Sequence, residues 1–499
     1  MNRYRMNLYL SKLLLLAMIL LLATTPLAAQ VAESKPVPGE GAAGQWLGAL
    51  DVGPTKLRLG LNVEKTSDGG LSAILDSIDQ GAKIPVDTVV FERGILRLGL
   101  KAIGAAYEGT MNADGSALQG EWSQGGRKLP LTFQRQEKAF ALNRPQLPKG
   151  PFPYESREVT FTSGAGNVRL AGTLLLPEGK GPFPAVALVT GSGPQDRDET
   201  LMSHKPFLVI ADALARRGIA SLRWDDRGTG KSTGDHMGST MDDFAADARA
   251  AVAFLRSNPA VDGSAVGIVG HSEGGLIAPM VASADKSVAF LVLLAPPGEP
   301  LRSLLIRQPR ALYRLQGLDE KLIDRAMAAQ AEDLELIADP SIPVDRLQEK
   351  LRALAESHRK QFTAEERAQL QIDANAIEQA IRVSTTVWFR SLIRQDPAVY
   401  LRNVKIQVLA LFGEKDFQVD PQVNAEAVRA ALAAAGNPDH EVRSLTGLNH
   451  LFQHAGTGSI EEYATIEETF APEALVAIGD WIVARFPKRA DTPASKAQL

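Results

Sequence analysis

Between residues 44 and 135 apolar and polar side chains alternate in short runs. Leu57, Leu59, Leu61 and Val63 are interleaved with Arg58, Gly60 and Asn62, and the same rhythm returns at Leu71, Ala73, Leu75 and at Leu129, Leu131, Phe133. A period of two places one set on a single face of a strand, and the pairs Asp68-Gly69 and Asp114-Gly115 supply turns between runs. The pattern predicts a small antiparallel β-domain over residues 44–135, a barrel or a sandwich. Trp46 and Trp122 serve it as core aromatics or, alternatively, as surfaces on which a ligand stacks.

Beyond a Pro-rich joint (residues 136–153) the texture changes. Residues 185–189, 266–269, 288–294 and 406–412 are continuous apolar runs, and residues 241–255 and 472–486 carry helical spacing. Strands apolar on both faces are buried on both faces, which requires a parallel sheet between helices. The fold class expected is α/β, a doubly wound and mostly parallel sheet preceded by the small β-domain. Residues 154–299 form its first part and 401–488 its second. Residues 300–400 interrupt it with Ala-, Leu-, Glu- and Arg-rich stretches at 301–315, 320–336, 344–358 and 363–383, a helical insertion placed to cap the end of the sheet where strands finish.

The ends of the chain differ from both. Arg3, Arg5 and Lys12 precede the apolar run of residues 13–23, and Ala28 and Ala29 follow. This is the layout of a secretory signal peptide over residues 1–29, with a run shorter than a bilayer span, so the mature protein is expected to be exported to the periplasm or medium of a bacterium with no membrane span. Residues 30–43 read as a linker and 489–499 as a disordered tail. The absence of cysteine among the 499 residues removes disulfides, thiolate nucleophiles and Cys-based metal sites. A formal net charge of −4 excludes a general attraction to polyanions, so nucleic acid is not an expected partner.

The sharpest chemical signal is Gly270-His271-Ser272-Glu273-Gly274, followed by Gly275. It fits G-x-S-x-G, with a buried strand immediately before and a helix-compatible run, Leu276 to Met280, after. A sharp strand-to-helix turn needs small residues on either side of the serine, raises its hydroxyl above the sheet and aims a helix N-terminus at a developing oxyanion. Ser272 is the candidate nucleophile.

In these motifs residues 154–488 resemble the α/β-hydrolase superfamily, whose order of nucleophile, acid and histidine implies where the other two members lie. The acid should follow the next-to-last strand, where Gly413-Glu414-Lys415-Asp416 looks like the family's G-x-x-D turn. Asp416 is the candidate, with Asp420 and Glu414 as competitors. Of seven histidines, His204, His236 and His271 precede or adjoin the nucleophile, His358 lies in the insertion and His440 begins the last strand. His450 remains, on the loop where the family's histidine lies, with His454 as the alternative. The resemblance further implies an oxyanion hole from the backbone N–H of Glu273 and one from the loop Gly191-Ser192-Gly193-Pro194-Gln195-Asp196-Arg197-Asp198. That loop is similar to the G-S-G-P-x-D-R-D stretch of a secreted bacterial esterase group, and points to Ser192 or, failing that, Gly193.

The stretch 225–232 lacks the first glycine of a phosphate loop and is similar instead to the D-x-R-G-x-G-x-S loop of many α/β-hydrolases. Asp196, Asp198 and Asp226 are expected to pair with Arg197 and Arg227 rather than hold a cation, and no cofactor or metal is expected. Serine in the nucleophile position implies acyl transfer to water. The expected activity is a serine carboxylesterase taking a small-molecule ester; the alternative is an aminopeptidase of the proline-iminopeptidase type, with insertion carboxylates such as Glu332, Asp333 and Glu335 holding a substrate amine. Trp388 and Phe389, at the end of the insertion, either line an acyl pocket or pin the insertion to the sheet.

Overall fold

The computed structural model of the chain describes residues 41–487 apart from 52–55, 79–81, 139–141 and 165. The expected signal peptide, most of the first linker and the C-terminal tail lie outside the described residues. The chain divides into two compact units. The first runs through Arg144 and takes in Leu201–Ser203 and Ile460–Glu467; the second comprises the remainder.

Among the described residues, nine strands make up the sheet of the first unit: β1 (Gly44–Asp51), β2 (Lys56–Lys65), β3 (Leu71–Ser77), β4 (Ala82–Pro85), β5 (Thr88–Glu92), β6 (Ile95–Leu100), β7 (Ala105–Met111), β8 (Ala117–Gln124) and β9 (Arg127–Gln136). Their spatial order is β4-β3-β2-β1-β9-β8-β7-β6-β5, every neighbour antiparallel. The alternation fixes which face is buried: Leu59, Leu61, Val63, Leu75, Leu131 and Phe133 all enter one apolar cluster. Trp46 and Trp122 are buried in that cluster, and the indole of Trp46 donates to the Ala42 carbonyl (2.9 Å). They are core aromatics. The buried Arg144 guanidinium donates to the carbonyls of Met202 (2.8 Å) and Ile466 (2.8 Å), drawing those two later stretches into this unit.

The second unit holds an eight-stranded sheet: β10 (Tyr154–Ser163), β11 (Val168–Pro177), β12 (Phe183–Val189), β13 (Ala220–Trp224), β14 (Val261–His271), β15 (Phe290–Leu294), β16 (Gln407–Gly413) and β17 (His440–Leu445), in the order β10-β11-β13-β12-β14-β15-β16-β17. From β13 onward all pairs are parallel, while β10 and β11 run antiparallel. That hairpin is absent from the sequence expectation, because β11 is buried nearly throughout and β10 mostly exposed, so neither shows a clean period. Helices α1 (Pro206–Ala215), α2 (Met241–Ser257) and α3 (Gly274–Ala284) connect the early strands.

The insertion between β15 and β16 comprises α4 (Leu301–Leu315), α5 (Glu320–Ala338), α6 (Val344–Gln361), α7 (Ala364–Gln369), α8 (Ala374–Ser384), α9 (Val387–Leu392) and α10 (Pro397–Leu401). The single helix expected over 363–383 is two: Gln371 sits in the left-handed region (φ 51°), and the Asp373 carboxylate caps a fresh start by accepting from the Asn375 and Ala376 N–H groups. The insertion has an apolar cluster of its own, built on Leu334, Ile337, Leu347, Leu351, Ile381 and Ile393. Helices α11 (Pro421–Ala434) and α12 (Pro472–Arg485) complete the unit. Among the described residues no helix is long and apolar enough to cross a membrane.

Candidate active site

The loops that leave the C-terminal ends of β12, β14, β16 and β17 carry the candidate residues, the place where an open parallel sheet exposes loop backbone between its covering helices. Strand β14 ends at His271 and α3 begins at Gly274, so Ser272 is held in a one-step turn with φ of 52°. Serine pays for that left-handed conformation in strain, as elbow residues held by their surroundings do. The surroundings are tight: a Cβ on Gly270 would come within 2.1 Å of the Gly274 carbonyl oxygen, and one on Gly274 within 2.2 Å of that of Val189. The Ser272 N–H donates to the Leu294 carbonyl (2.8 Å), fastening the turn to the end of β15.

Asp416 follows β16 directly and is buried. Its Oδ1 accepts from the N–H groups of Gln418 (2.8 Å) and Val419 (2.9 Å), which fixes the carboxylate and leaves Oδ2 for His450 Nδ1 at 2.7 Å. A histidine bonded to a carboxylate through Nδ1 presents Nε2 as the basic nitrogen. The competitors sit elsewhere. Asp420 caps α11 and Glu414 accepts from the Gly447 N–H (2.9 Å). His454 bridges Glu468 and Glu473 at 2.9 Å each, with its side chain half exposed.

His271 and Glu199, which the sequence does not single out, tie these loops together. His271 Nε2–H donates to the His450 carbonyl (3.0 Å), and the two imidazole centroids are 4.8 Å apart. His271 Nδ1 meets Glu199 Oε1 at 2.9 Å, and the same oxygen accepts from the Gly191 N–H at 2.7 Å. Gly191 in turn lies against the elbow, since a Cβ there would stand 3.4 Å from that of Ser272. Burial by itself would lower the His271 imidazole. The charge and hydrogen bond of Glu199, with the His450 carbonyl, outweigh it and raise the group above the ordinary histidine value. The His271 ring thus braces the nucleophile turn, the Gly191 loop and the His450 loop at once. Adjacency to Ser272 is the one sequence clue to His271; Glu199 has none.

Of the remaining candidates, Glu273 and Trp388 meet, and Ser192 follows Gly191 on the loop that lies against the elbow. The fully buried Trp388 indole donates to the Glu273 carboxyl (3.2 and 3.3 Å). Burial pushes Glu273 up to about 7, against the Trp388 hydrogen bond, which favours its charged form. Phe389 turns the other way and packs, half-buried, into the insertion's own cluster.

The acidic loops differ from the expected pairing. Arg197 holds Asp225 in a two-point contact (2.9 and 2.9 Å) and Arg227 holds Asp247 (2.7 and 2.7 Å), while Asp226 accepts from the Thr190 hydroxyl (3.0 Å) and the Gln195 N–H (2.9 Å). Consecutive residues of a turn point to different sides, so sequence neighbours of opposite charge need not be partners. Among the described residues no group of three or more His, Asp or Glu is arranged to hold a metal ion.

Residues 205–454, half of the chain, match the family described as serine aminopeptidase, S33. The chain belongs to this family. The matched span of the S33 family includes Ser272, Asp416 and His450 and begins after the Gly191–Ser192 loop. The chain is 29% identical over 269 residues to esterase EstD of Thermotoga maritima, covering 54% of each protein. It is 32% identical over 131 residues to human acyl-coenzyme A thioesterase 1, covering 26% of this chain and 27% of that protein. The chain thus spans about half the length of the first relative and about a quarter of the second. Among solved structures, the Pyrococcus furiosus esterase Pf2001 aligns with a TM-score of 0.42 at 17% identity, over 70% of this chain and 98% of that one. The S33 family places residues 205–454 in the α/β-hydrolase superfamily.

Proposed function

We infer that the protein is a serine hydrolase that cleaves carboxylic esters through an acyl-enzyme. The observation that carries this reading is the buried 2.7 Å contact of His450 Nδ1 with Asp416, in a loop that His271 ties to the strand-to-helix turn holding Ser272 at φ 52°. In this reading Asp416 fixes the tautomer of His450, whose Nε2 takes the Ser272 proton as the hydroxyl oxygen attacks the ester carbonyl. The N–H groups of Glu273 and of Ser192 or Gly193 receive the oxyanion. His450 then returns the proton to the leaving alcohol, and a water molecule repeats the sequence to free the acid. The likeness to an esterase over half the chain supports esters as the substrate class.

The family description favours a second reading, an aminopeptidase. Rates on nitrophenyl esters of graded acyl length beside amino-acid anilides separate the two. Esters are expected to turn over and anilides not, and Ser272→Ala is expected to remove ester turnover by several orders of magnitude with the melting temperature unchanged. Faster anilide turnover would transfer the reading to peptides; near-normal ester turnover by Ser272→Ala would end it. The N-terminal segment completes the proposal as an export signal. Mass measurement of the protein recovered from the periplasm or medium should give a chain starting at Gln30.

A further inference from the structure

A single oxygen, Oε1 of Glu199, is where three loops of the second unit meet. It accepts from the Gly191 N–H (2.7 Å) and faces His271 Nδ1 (2.9 Å), while His271 Nε2 lies 3.0 Å from the His450 carbonyl oxygen. Glu199, His271 and His450 are all buried. Glu199 also holds a φ of 54°, a conformation that glutamate seldom takes, so a strained backbone turns this carboxyl inward.

Counting donors shows what the junction needs. A carbonyl only accepts, so His271 Nε2 carries a hydrogen; an N–H only donates, so Glu199 Oε1 must accept from Gly191. A neutral imidazole then has no hydrogen left for Nδ1, and two lone pairs would face each other across 2.9 Å unless one more proton lies between Nδ1 and Oε1. With that proton the pair is uncharged as a whole, whether written as imidazolium with carboxylate or as imidazole with carboxylic acid. An amide at position 199 cannot complete the set against a neutral ring, because its oxygen brings no proton and its nitrogen offers Gly191 no acceptor.

We propose that Glu199 and His271 are positioning residues that set the oxyanion loop and the His450 loop against the nucleophile turn. The proposal rests on the reading of Ser272 as nucleophile. Each contact of the pair ends next to a working group: Gly191 precedes Ser192 and Gly193, on one of which the second oxyanion donor is expected, the carbonyl is that of His450 itself, and His271 precedes Ser272. Oxyanion donors act at about 2.7 to 3.1 Å from the oxygen, and a general base must reach its proton over a similar span. Drift of either loop therefore weakens transition-state binding more than substrate binding.

The test uses the full chain with Glu199→Gln, His271→Asn and their combination. The readouts are kcat and KM on a nitrophenyl ester across the pH range, inhibition by an alkylboronic acid that forms a tetrahedral adduct on Ser272, and melting temperature. Each single substitution is expected to lower kcat about tenfold at nearly constant KM and to weaken the boronic acid in proportion. The combination should lose less than the product of the two, because both break one chain of contacts. Since the pair is uncharged as a whole, Glu199→Gln should leave the acid limb of the kcat/KM profile, which follows His450, where it stands in the unsubstituted protein. Either substitution carries the test alone if the other does not fold. Unchanged kcat and boronic acid affinity, a loss confined to KM, losses that multiply, or an acid limb displaced by Glu199→Gln would each overturn the positioning role. Labelling of the unsubstituted protein by a fluorophosphonate separates the two failures: without labelling at Ser272 the nucleophile reading falls and the positioning role with it, whereas with full labelling a negative result removes the positioning role alone.

Discussion

The nine-stranded sheet of the first unit tends to bury alternate residues, and strands β12, β13 and β15 of the eight-stranded sheet bury every residue. β7 reads buried, exposed, buried along most of its length, while β12 and β15 are buried throughout. The consequence is a different distribution of polar groups. In the first unit the buried face goes to apolar side chains and aromatics such as Phe133 against Tyr107, at 5.1 Å between centroids. In the second, helices cover both faces, so the strand ends are where loop backbone and polar side chains meet out of water, and Glu199, His271, Glu273, Asp416 and His450 are all buried there. Covering a sheet on both sides concentrates chemistry at its ends.

The sharpest way to break this contrast is to disturb a strand-end carboxylate without changing its shape. Asp416→Asn is expected to lower kcat by roughly 10³ to 10⁴ with little effect on melting, because the amide no longer fixes the Nδ1–H tautomer of His450. Turnover within tenfold of the unsubstituted protein would mean that the 2.7 Å contact is structural.

A core residue of the first unit should behave in the opposite way. Phe133→Ala, at a fully buried position, is expected to cost about 3 to 5 kcal/mol of that unit's stability, read as an earlier thermal transition. Ester turnover by the molecules that remain folded should be unchanged; a parallel loss of kcat would show the nine-stranded sheet serving the site.

Acidity offers a third comparison. Glu273 titrates near 7 in the folded chain against 4.5 ordinarily. Between those values the folded chain holds a proton that the unfolded chain has lost, so stability falls as pH rises through the window, by roughly 3 kcal/mol at most. Glu273→Gln should remove that slope. The half-buried Asp226, pushed up mainly by desolvation, adds a slope of the same sign. His236, tilted against Trp388 and lowered to about 3 by burial and then by Arg227, adds one of opposite sign below its ordinary 6.5. Both remain in the variant, and because the Glu273 charge helps to raise Asp226, the difference between the two proteins in denaturant titrations from pH 4 to 8 reports Glu273 together with its influence on Asp226. Parallel curves would place the carboxyl in water.

The smallest effect is expected inside the insertion. Phe389, half-buried among Leu334, Ile337 and their neighbours, should cost about 2 kcal/mol on truncation to Ala and leave the preference among ester chain lengths as it was. A shifted preference at constant melting temperature would put Phe389 on the acyl pocket after all.

Much of this architecture was legible along the chain, for reasons specific to each part. A strand half in water must alternate, so Leu57 to Val63 announced both their strand and its buried face. A strand covered on both sides cannot contain charge, so residues 185–189 and 406–412 announced theirs. The β10–β11 hairpin was not legible, since one strand is nearly all buried and its partner largely exposed. The break at Gln371 was hidden too, because helical spacing continues on both sides of it.

The elbow was written locally: Gly270, Ser272 and Gly274 lie within five residues, and the steric demand that selects the glycines acts over the same distance. What the tertiary structure alone decided is which distant groups share one buried volume. Glu199 stands 72 residues from His271, His271 is 179 from His450, and Trp388 is 115 from Glu273. Hydrogen bonds and desolvation depend on separation in space, and no local pattern records that a glutamate after β12 will brace a histidine before the nucleophile. The same is true of acidity. Glu273 is one glutamate among many along the chain, and burial beneath Trp388 of α9 moves it to about 7.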